Sequence, residues 1–359
     1  MSAYDAAVIG AGPAGALAAL RLVRSGVRTL LVDKATFPRH KVCGCCLAPA
    51  GQAVLARCGA ESALEDAARV ERLDVRHASG RVHARTPLYR VIDRATMDAR
   101  LVDLARDAGC VVRFGAGAVV TDDGVSIDGD PVRTRIVLCA DGLGGSSLRD
   151  RAGFGWAVRR ASRIGVGCVV DRVEGDGAGA ITMCVGDDGY CGVARLADGR
   201  AVIAAALAPD AVRTSGVRTL VHDLLASGGV RADMADATLR GAPALTRTRC
   251  GLEDGARVFV VGDAAGYVEP FTGEGMSWAL RAGERVRDHA LAALGGVYED
   301  GTWTRAVLGE RRGSTAGCRA VTYVLRRPML TSLCARVARV SPGLASMVTG
   351  RVVGRVAAA

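Results

Sequence analysis

Aromatic residues are scarce in this chain, at 4% of 359 residues, while half of all residues are hydrophobic. Its core must therefore be filled by Val, Leu and Ala rather than by large rings. Lysine is nearly absent: only Lys34 and Lys41 occur, leaving 45 arginines among the 47 basic residues. No apolar run reaches the roughly 18 residues that a membrane-spanning helix needs. The first residues carry no basic lead, so the apolar stretch there reads as strand and helix rather than as a leader. No paired CxxC units and no Cys/His cluster show zinc spacing, and a metal site is not expected. The 12 cysteines are scattered rather than set in a small framework, which predicts a reduced, cytoplasmic protein. No basic platform interleaved with aromatics occurs, which argues against a nucleic-acid partner. No acid follows Glu310.

Two segments stand out. Ala6–Asp33 begins with a short apolar strand and runs directly into Gly10-Ala11-Gly12-Pro13-Ala14-Gly15. A helix of small residues and Leu follows to about Ser25, with Gly26 as its stop, and Thr29–Val32 is a second strand ending in Asp33. GxGxxG acquires its meaning in this strand–turn–helix–strand setting. Gly10 allows the tight turn, Gly12 admits a pyrophosphate, and Gly15 lets helix and strand pack closely. An acid at Asp33 suits ribose hydroxyls and disfavours a 2′-phosphate, so the nucleotide is FAD or NAD. Far along the chain, residues 258–283 read VFVVGDAAGYVEPFTGEGMSWALRAG. Here a strand ends at Gly262-Asp263, a loop follows, and Gly273-Glu274-Gly275-Met276 opens a helix. Bare amides at such a start hold an electron-rich carbonyl or a phosphate.

Two further stretches complete a pattern. One is the loop Phe37-Pro38-Arg39-His40-Lys41-Val42-Cys43-Gly44-Cys45-Cys46-Leu47. The other is Arg94-Ala95-Thr96-Met97-Asp98 with Val137-Leu138-Cys139-Ala140-Asp141-Gly142. Together, in this order, the four resemble the flavoprotein superfamily of p-hydroxybenzoate hydroxylase, and most of all its geranylgeranyl reductase-like branch. The resemblance implies FAD as cofactor, with NAD(P)H or another reductant as a transient donor, since no second nucleotide fold is present. It also implies an α/β fold: a Rossmann-like FAD-binding domain, an inserted antiparallel β-sheet substrate domain and a C-terminal helical tail.

The family's roles carry over by position. Gly10, Gly12, Ala14 and Gly15 face the pyrophosphate, and Asp33, with Lys34 beside it, holds the adenosine ribose. Arg39 and Arg94 bond phosphates or lie along the cofactor, and the Val119 backbone meets the adenine. Gly262 and Asp263 serve the ribitol or phosphate side, and Gly273, Gly275 and Met276 meet the flavin's O2 and N1 edge. Asp141 and Gly142 are linked to both FAD and pyridine nucleotide, or simply form a turn after a strand.

Cys43, Gly44 and Cys46 are flavin contacts by the same resemblance. Cys45 and Cys46 depart from the family's usual Asp or Glu and Gly. They leave open a vicinal disulfide, a Cys43–Cys46 pair, a reactive thiolate lowered by Lys41 and Arg39, or small residues chosen for space. Tyr190-Cys191-Gly192 stands where the branch has Tyr-x-Trp. Gly192 predicts a roomier pocket, with Tyr190 either facing substrate as a proton donor or buried in the core. Cys43, Cys45, Cys46 and Tyr190 are the candidate catalytic residues.

The expected organisation is a discontinuous FAD-binding domain of residues 1–75, 94–155 and 255–295. Residues 76–93 and 156–254 make the substrate domain, and 296–359 the helical tail. Strands are predicted at Val111–Thr121, Val132–Ala140, Val166–Val170, Ala180–Val185, Tyr190–Leu196 and Ala201–Ala208, with helices over Val91–Ala108 and Val217–Ser227. In the tail, Arg311, Arg312, Arg319, Arg326, Arg327, Arg336, Arg339, Arg351 and Arg355 accompany apolar residues at helical spacing. This reads as a helical tail with a solvated basic face, or as a surface for peripheral contact with an anionic membrane at its inner face.

Three functions are compatible with these residues. One is reduction of C=C bonds in a lipophilic isoprenoid or polyketide-like small molecule. Another is hydroxylation of an aromatic or polyketide substrate by an FAD monooxygenase. The third is non-enzymatic redox sensing through the cysteines. Flavin halogenation is disfavoured because no WxWxIP motif occurs.

Overall fold

The computed structural model describes residues 4–341 and 343, apart from 178, 270 and 272; the side chains of 312–317, 328, 335, 338 and 339 are also left undescribed. Two large sheets carry the chain.

The first sheet grows from the short apolar segments read above. Its order is Glu253–Asp254, Val258–Val260, Asp130–Cys139, Tyr4–Ile9, Thr29–Asp33, Val111–Phe114. Every pair is parallel except the first. A hairpin, Ala118–Thr121 with Gly124–Ile127, pairs onto Asp130–Cys139. Parallel strands need cover on both faces, which explains their unbroken Val, Ile and Leu. Helices Pro13–Val23, Arg94–Asp107 and Gly275–Leu294 pack on one another as one covering layer, with Leu17, Leu20, Leu101 and Leu280 fully buried, and the hairpin residues Val125 and Ile127 join the same core. Pro13 suits the first turn of its helix, where its missing N–H leaves nothing unpaired.

The second sheet has eight strands: Arg240–Ala244, Ile164–Val170, Ala201–Leu207, Gly189–Arg195, Ile181–Gly186, Ala68–His77, Gly80–Val91 and Cys46–Leu47. One face holds Met183, Val185 and Tyr190. The other is covered by helix Val217–Ser227 through Leu220, Val221, Leu224 and Leu225.

Several expectations need correction. The sheet is antiparallel as expected except at one pair, where Ile181–Gly186 runs parallel to Ala68–His77. The chain enters it at Ala68, ahead of residue 76, since Ala68–His77 and Gly80–Val91 pair as one long hairpin. Helix Arg94–Asp107 starts three residues after Val91, where the Asp93 carboxylate accepts from the Ala95 amide at 3.1 Å. Glu253–Asp254 belongs to the nucleotide sheet, being paired with Val258–Val260.

The tail forms helices Thr302–Leu325 and Pro328–Val340. Trp303 fixes it to the nucleotide sheet: the ring is buried and its Nε1 donates to the Val260 carbonyl at 3.0 Å. Arg311 and Arg326 point inward rather than presenting a solvated face. Arg311 donates to the carbonyls of Ala265 and Gly266, and Arg326 pairs with buried Glu269. Arg319, Arg327 and Arg336 are exposed. Arg351 and Arg355 lie outside the described residues, as do the side chains of Arg312 and Arg339.

Candidate active site

A cleft of about 690 Å³ opens where the C-terminal ends of the parallel strands face the second sheet. This is the usual ligand position in open α/β sheets. Its nucleotide end is the turn after Tyr4–Ile9. Gly10 has φ +100°, and a Cβ there would lie 2.4 Å from the Ala140 carbonyl oxygen. A Cβ on Gly15 would lie 1.9 Å from the Gly10 carbonyl oxygen. Both glycines are required by backbone contact. Gly12 faces the cleft, and a Cβ there would meet only the guanidinium ends of Arg39 at 3.6 Å and Arg94 at 4.0 Å. The opening beside that glycine suits a pyrophosphate between backbone and two cations. Asp33 ends its strand with one carboxylate oxygen accepting from Ala11 N at 2.8 Å and the other from Ala35 N at 2.9 Å.

The two arginines share a buried anchor. Arg94 donates to both oxygens of Asp98, at 2.9 and 2.8 Å, and Arg39 approaches Asp98 at 3.4 Å and Asp33 at 3.6 Å. Arg39 also lies over the Phe37 ring, which stacks on Phe114. Its Nη1 is buried without a hydrogen bond. Buried cations with donor capacity left over, beside a glycine turn, fit the diphosphate of FAD.

The cysteine loop lies midway along the cleft. All three thiols are free, as is every cysteine among the described residues, so neither of the two disulfides left open by the sequence is present. Local bonding accounts for this. The Cys45 amide donates to Cys43 Sγ at 3.3 Å, Cys46 Sγ contacts the Gly44 carbonyl at 3.1 Å, and Cys45 is held at φ +57°. The Cys43 thiol is drawn down to about 6, mostly by its hydrogen bond with the Cys45 thiol; burial opposes this and Arg94 reinforces it. Cys45 is correspondingly raised, first by that bond and then by burial, and burial pushes Cys46 up. The lowering cation is thus Arg94 rather than Lys41 or Arg39. Ile92 N donates to the Cys45 carbonyl at 3.1 Å, which draws the start of helix Arg94–Asp107 under the loop.

At the helix start, Gly273, Gly275 and Met276 line the cleft. The Tyr267 hydroxyl is 2.8 Å from where a Gly275 Cβ would stand, so it shares that amide end. Asp263 also lines the cleft, with its carboxyl raised to about 6 by desolvation against the pull of Lys41 and Arg94. Glu274 is fully buried and raised to about 7 by burial, against the effects of Arg281, Ser277 and Tyr89.

The far wall is apolar, with Leu73, Met183, Ala204 and Leu245. Gly192 lines it, yet the space its missing side chain leaves is partly taken: Met183 Sδ lies 2.9 Å from the Cβ position. Tyr190 is buried at this wall, edge-on to Phe271 at 5.0 Å. Burial raises its phenol well above the ordinary range, and the charge of the Glu269 carboxylate adds to this against the pull of Arg163. Glu269 is pinned by Arg163 at 3.2 Å and Arg326 at 2.9 Å. Tyr190 therefore lines the cleft as a buried, protonated phenol beside Glu269.

The cleft brings together Gly10, Gly12, Ala14, Asp33, Lys34, Arg39, Cys43 to Cys46, Arg94, Asp141, Gly142, Tyr190, Asp263, Gly273, Gly275 and Met276. Gly15 and Gly262 stand behind it as packing positions; Gly262 abuts Ala14. Val119 lies outside the wall, opposite Ser126 in its hairpin, and Ala116, Gly117 and Ala118 line the cleft instead. Asp141 accepts from Ser147 N at 2.7 Å, the turn-forming alternative for that pair. Pro270 and Thr272 fall outside the described residues. Sequence reading quoted Asp98 within its motif but gave it no role, and missed Tyr89, Tyr267 and the Arg163–Glu269–Arg326 cluster. Only Asp98 had a local signal, four residues after Arg94 on a helix.

A family model described as an FAD binding domain matches residues 3–156. The menaquinone reductase of Mycobacterium tuberculosis is 28% identical over 323 residues, covering 78% of this chain and 74% of that protein. The digeranylgeranylglycerophospholipid reductase of Methanoculleus marisnigri is 26% identical over 315 residues, covering 81% and 78%. A solved flavoprotein/dehydrogenase from Cytophaga hutchinsonii has a TM-score of 0.79 at 17% identity, covering 98% of this chain and 92% of that one. At that identity the likeness concerns the fold.

Proposed function

We propose that this chain, an FAD-dependent oxidoreductase of the p-hydroxybenzoate hydroxylase superfamily with menaquinone and geranylgeranyl reductase relatives, reduces C=C bonds of a lipophilic, isoprenoid or polyketide-like molecule. One observation carries the reading: the cleft runs from the arginine-flanked glycine turn, past the cysteine loop, to an apolar wall of the second sheet. A lipophilic substrate meets there a surface with few polar groups to desolvate.

Bound FAD supplies hydride transfer to the substrate carbon. The chain's part is placement and proton supply. Asp98 holds Arg94 and Arg39, the cations that would receive the diphosphate. The start of helix Gly275–Leu294, which lines the cleft, would offer its amides and positive dipole end to the bound flavin. Reduction also needs a proton at the neighbouring carbon. Asp263, whose carboxyl is raised to about 6, lines the cleft and is proposed as the donor, in place of the ribitol or phosphate-side role implied by the resemblance. Tyr190, beside Glu269, serves as a fixed wall. NAD(P)H is the proposed source of reducing equivalents, visiting the same cleft.

The test is turnover of the FAD-loaded protein with NADH, NADPH or dithionite and a polyprenyl quinone or geranylgeranyl lipid, with and without oxygen. The reading expects a product richer by two hydrogens, formed anaerobically. A product richer by one oxygen, formed only in air, supports the monooxygenase instead. Absence of any product while Cys43 alone changes oxidation state supports redox sensing.

A further inference from the structure

Helix Pro328–Val340 leaves an apolar face open to solvent. Met329, Leu333, Val337 and Val340 are 87%, 56%, 46% and 83% exposed. Their spacing of four, four and three residues places them along one side of the helix. Just before it, Tyr323 is 52% exposed, with the Arg327 guanidinium 3.5 Å from its ring centre. The inner side is occupied: Thr331 is buried, its hydroxyl donating to the Val324 carbonyl at 3.0 Å, and the helix packs on strand Gly80–Val91. That strand carries Thr86 and Tyr89, which line the cleft, so the helix lies against an element of the cavity wall. Leu325, at the joint between the tail helices, packs against the same cluster as Tyr89 and Tyr190.

The charge on the tail itself has one sign. No Asp or Glu occurs after Glu310. Arg319, Arg327 and Arg336 are exposed on the tail, and Arg81 and Arg85 on the strand beneath it. Exposed Met, Leu and Val beside a Tyr and several arginines make an interfacial helix, whose apolar face enters the headgroup boundary while its cations meet anionic lipid. A soluble acidic protein would satisfy the cations but not four exposed aliphatic side chains in line.

We infer that helix Pro328–Val340, with the end of helix Thr302–Leu325, is the surface by which this protein docks on an anionic bilayer. The inference rests on the reading of a lipophilic substrate, which would then be taken up from the membrane on the side where the helix lies against the cavity wall.

The test is co-sedimentation of the full chain, FAD bound, with phosphatidylcholine vesicles and with vesicles that also contain phosphatidylglycerol. Binding to the anionic vesicles should be strong at low salt and fall as salt rises. The pair Arg327→Gln with Arg336→Gln should weaken it at least about tenfold. The pair Leu333→Ser with Val337→Ser should weaken it by a similar factor at any salt. Retained flavin absorbance and an unchanged melting temperature show that both variants fold. Equal binding to both vesicle types, or both pairs binding like the wild type, overturns the inference. So does a wild-type dimer that binds no vesicles and that the Leu333/Val337 pair splits, which would assign the face to a second copy. None of these readouts uses turnover, so their failure is separable from failure of the reductase reading.

Discussion

Asp98 grips Arg94 through both carboxylate oxygens, at 2.9 and 2.8 Å, inside a protein wall that solvent does not reach. The pair sets where the guanidinium points, toward the Gly12 turn on one side and Cys43 on the other. Asp98→Asn keeps the shape and removes the charge that balances Arg39 and Arg94. It should cost about 3 kcal/mol in denaturant unfolding and weaken FAD by tenfold or more in a fluorescence titration. FAD binding at wild-type strength would mean that the pair is structural alone.

Gly15→Ala tests the turn itself. Its methyl would stand 1.9 Å from the Gly10 carbonyl oxygen, a backbone atom that cannot swing aside. The purified variant should lack flavin absorbance and lose about 3 kcal/mol of stability or more. A yellow protein of normal stability would show that the turn yields.

Cys43 should react as a thiolate in flavin-free protein. Alkylation by iodoacetamide, followed by mass spectrometry across pH, should reach half its limiting rate near pH 6 rather than near the ordinary thiol value of 9.0. Because the folded value lies below the unfolded one, the thiolate adds stability that is complete above the unfolded range and is lost as pH falls through about 6. Cys45→Ala removes the main cause and should move the reaction midpoint upward. FAD, once bound, should protect the thiol.

Glu274→Gln has the opposite pH sign. Burial raises its folded value to about 7, so the native state holds a proton that the unfolded chain has given up. That stabilisation is complete below the ordinary carboxyl range and is lost as pH rises through 7. The variant should therefore match the wild type at about pH 5 and exceed it by about 2 kcal/mol at about pH 8. Melting temperatures at the two pH values check this, and equal differences at both would remove Glu274 as the titrating group.

The nucleotide half was legible because its requirements are local. Gly10, Gly12, Gly15 and Asp33 lie within one strand–turn–helix–strand unit, where residue type and backbone angle determine each other. Gly273 to Met276 were legible for the same reason, as a helix start. The far wall was not. Tyr190, Arg163, Glu269 and Arg326 come from four distant stretches and meet only after the second sheet is built. Gly192 misled in the same way: the vacancy its missing side chain implies is shared with Met183, a strand away. The tail's arginines look alike in sequence, yet Arg311 and Arg326 turn inward because backbone carbonyls and a buried carboxylate await them.

The order of strands in the first sheet also governs how the protein comes into being. Asp130–Cys139 lies between Tyr4–Ile9 and Val258–Val260, so a strand made late in synthesis completes a platform begun at the first residues. Until it emerges, one edge of the parallel sheet stays open, although most of the second sheet has already left the ribosome. Such long-range pairing is slow and leaves a sticky edge meanwhile. Part of the cleft wall, Gly273 to Met276, follows this last strand, so on the proposed reading flavin is a late arrival. Its supply during expression should decide how much of the nascent chain reaches the native state rather than aggregates.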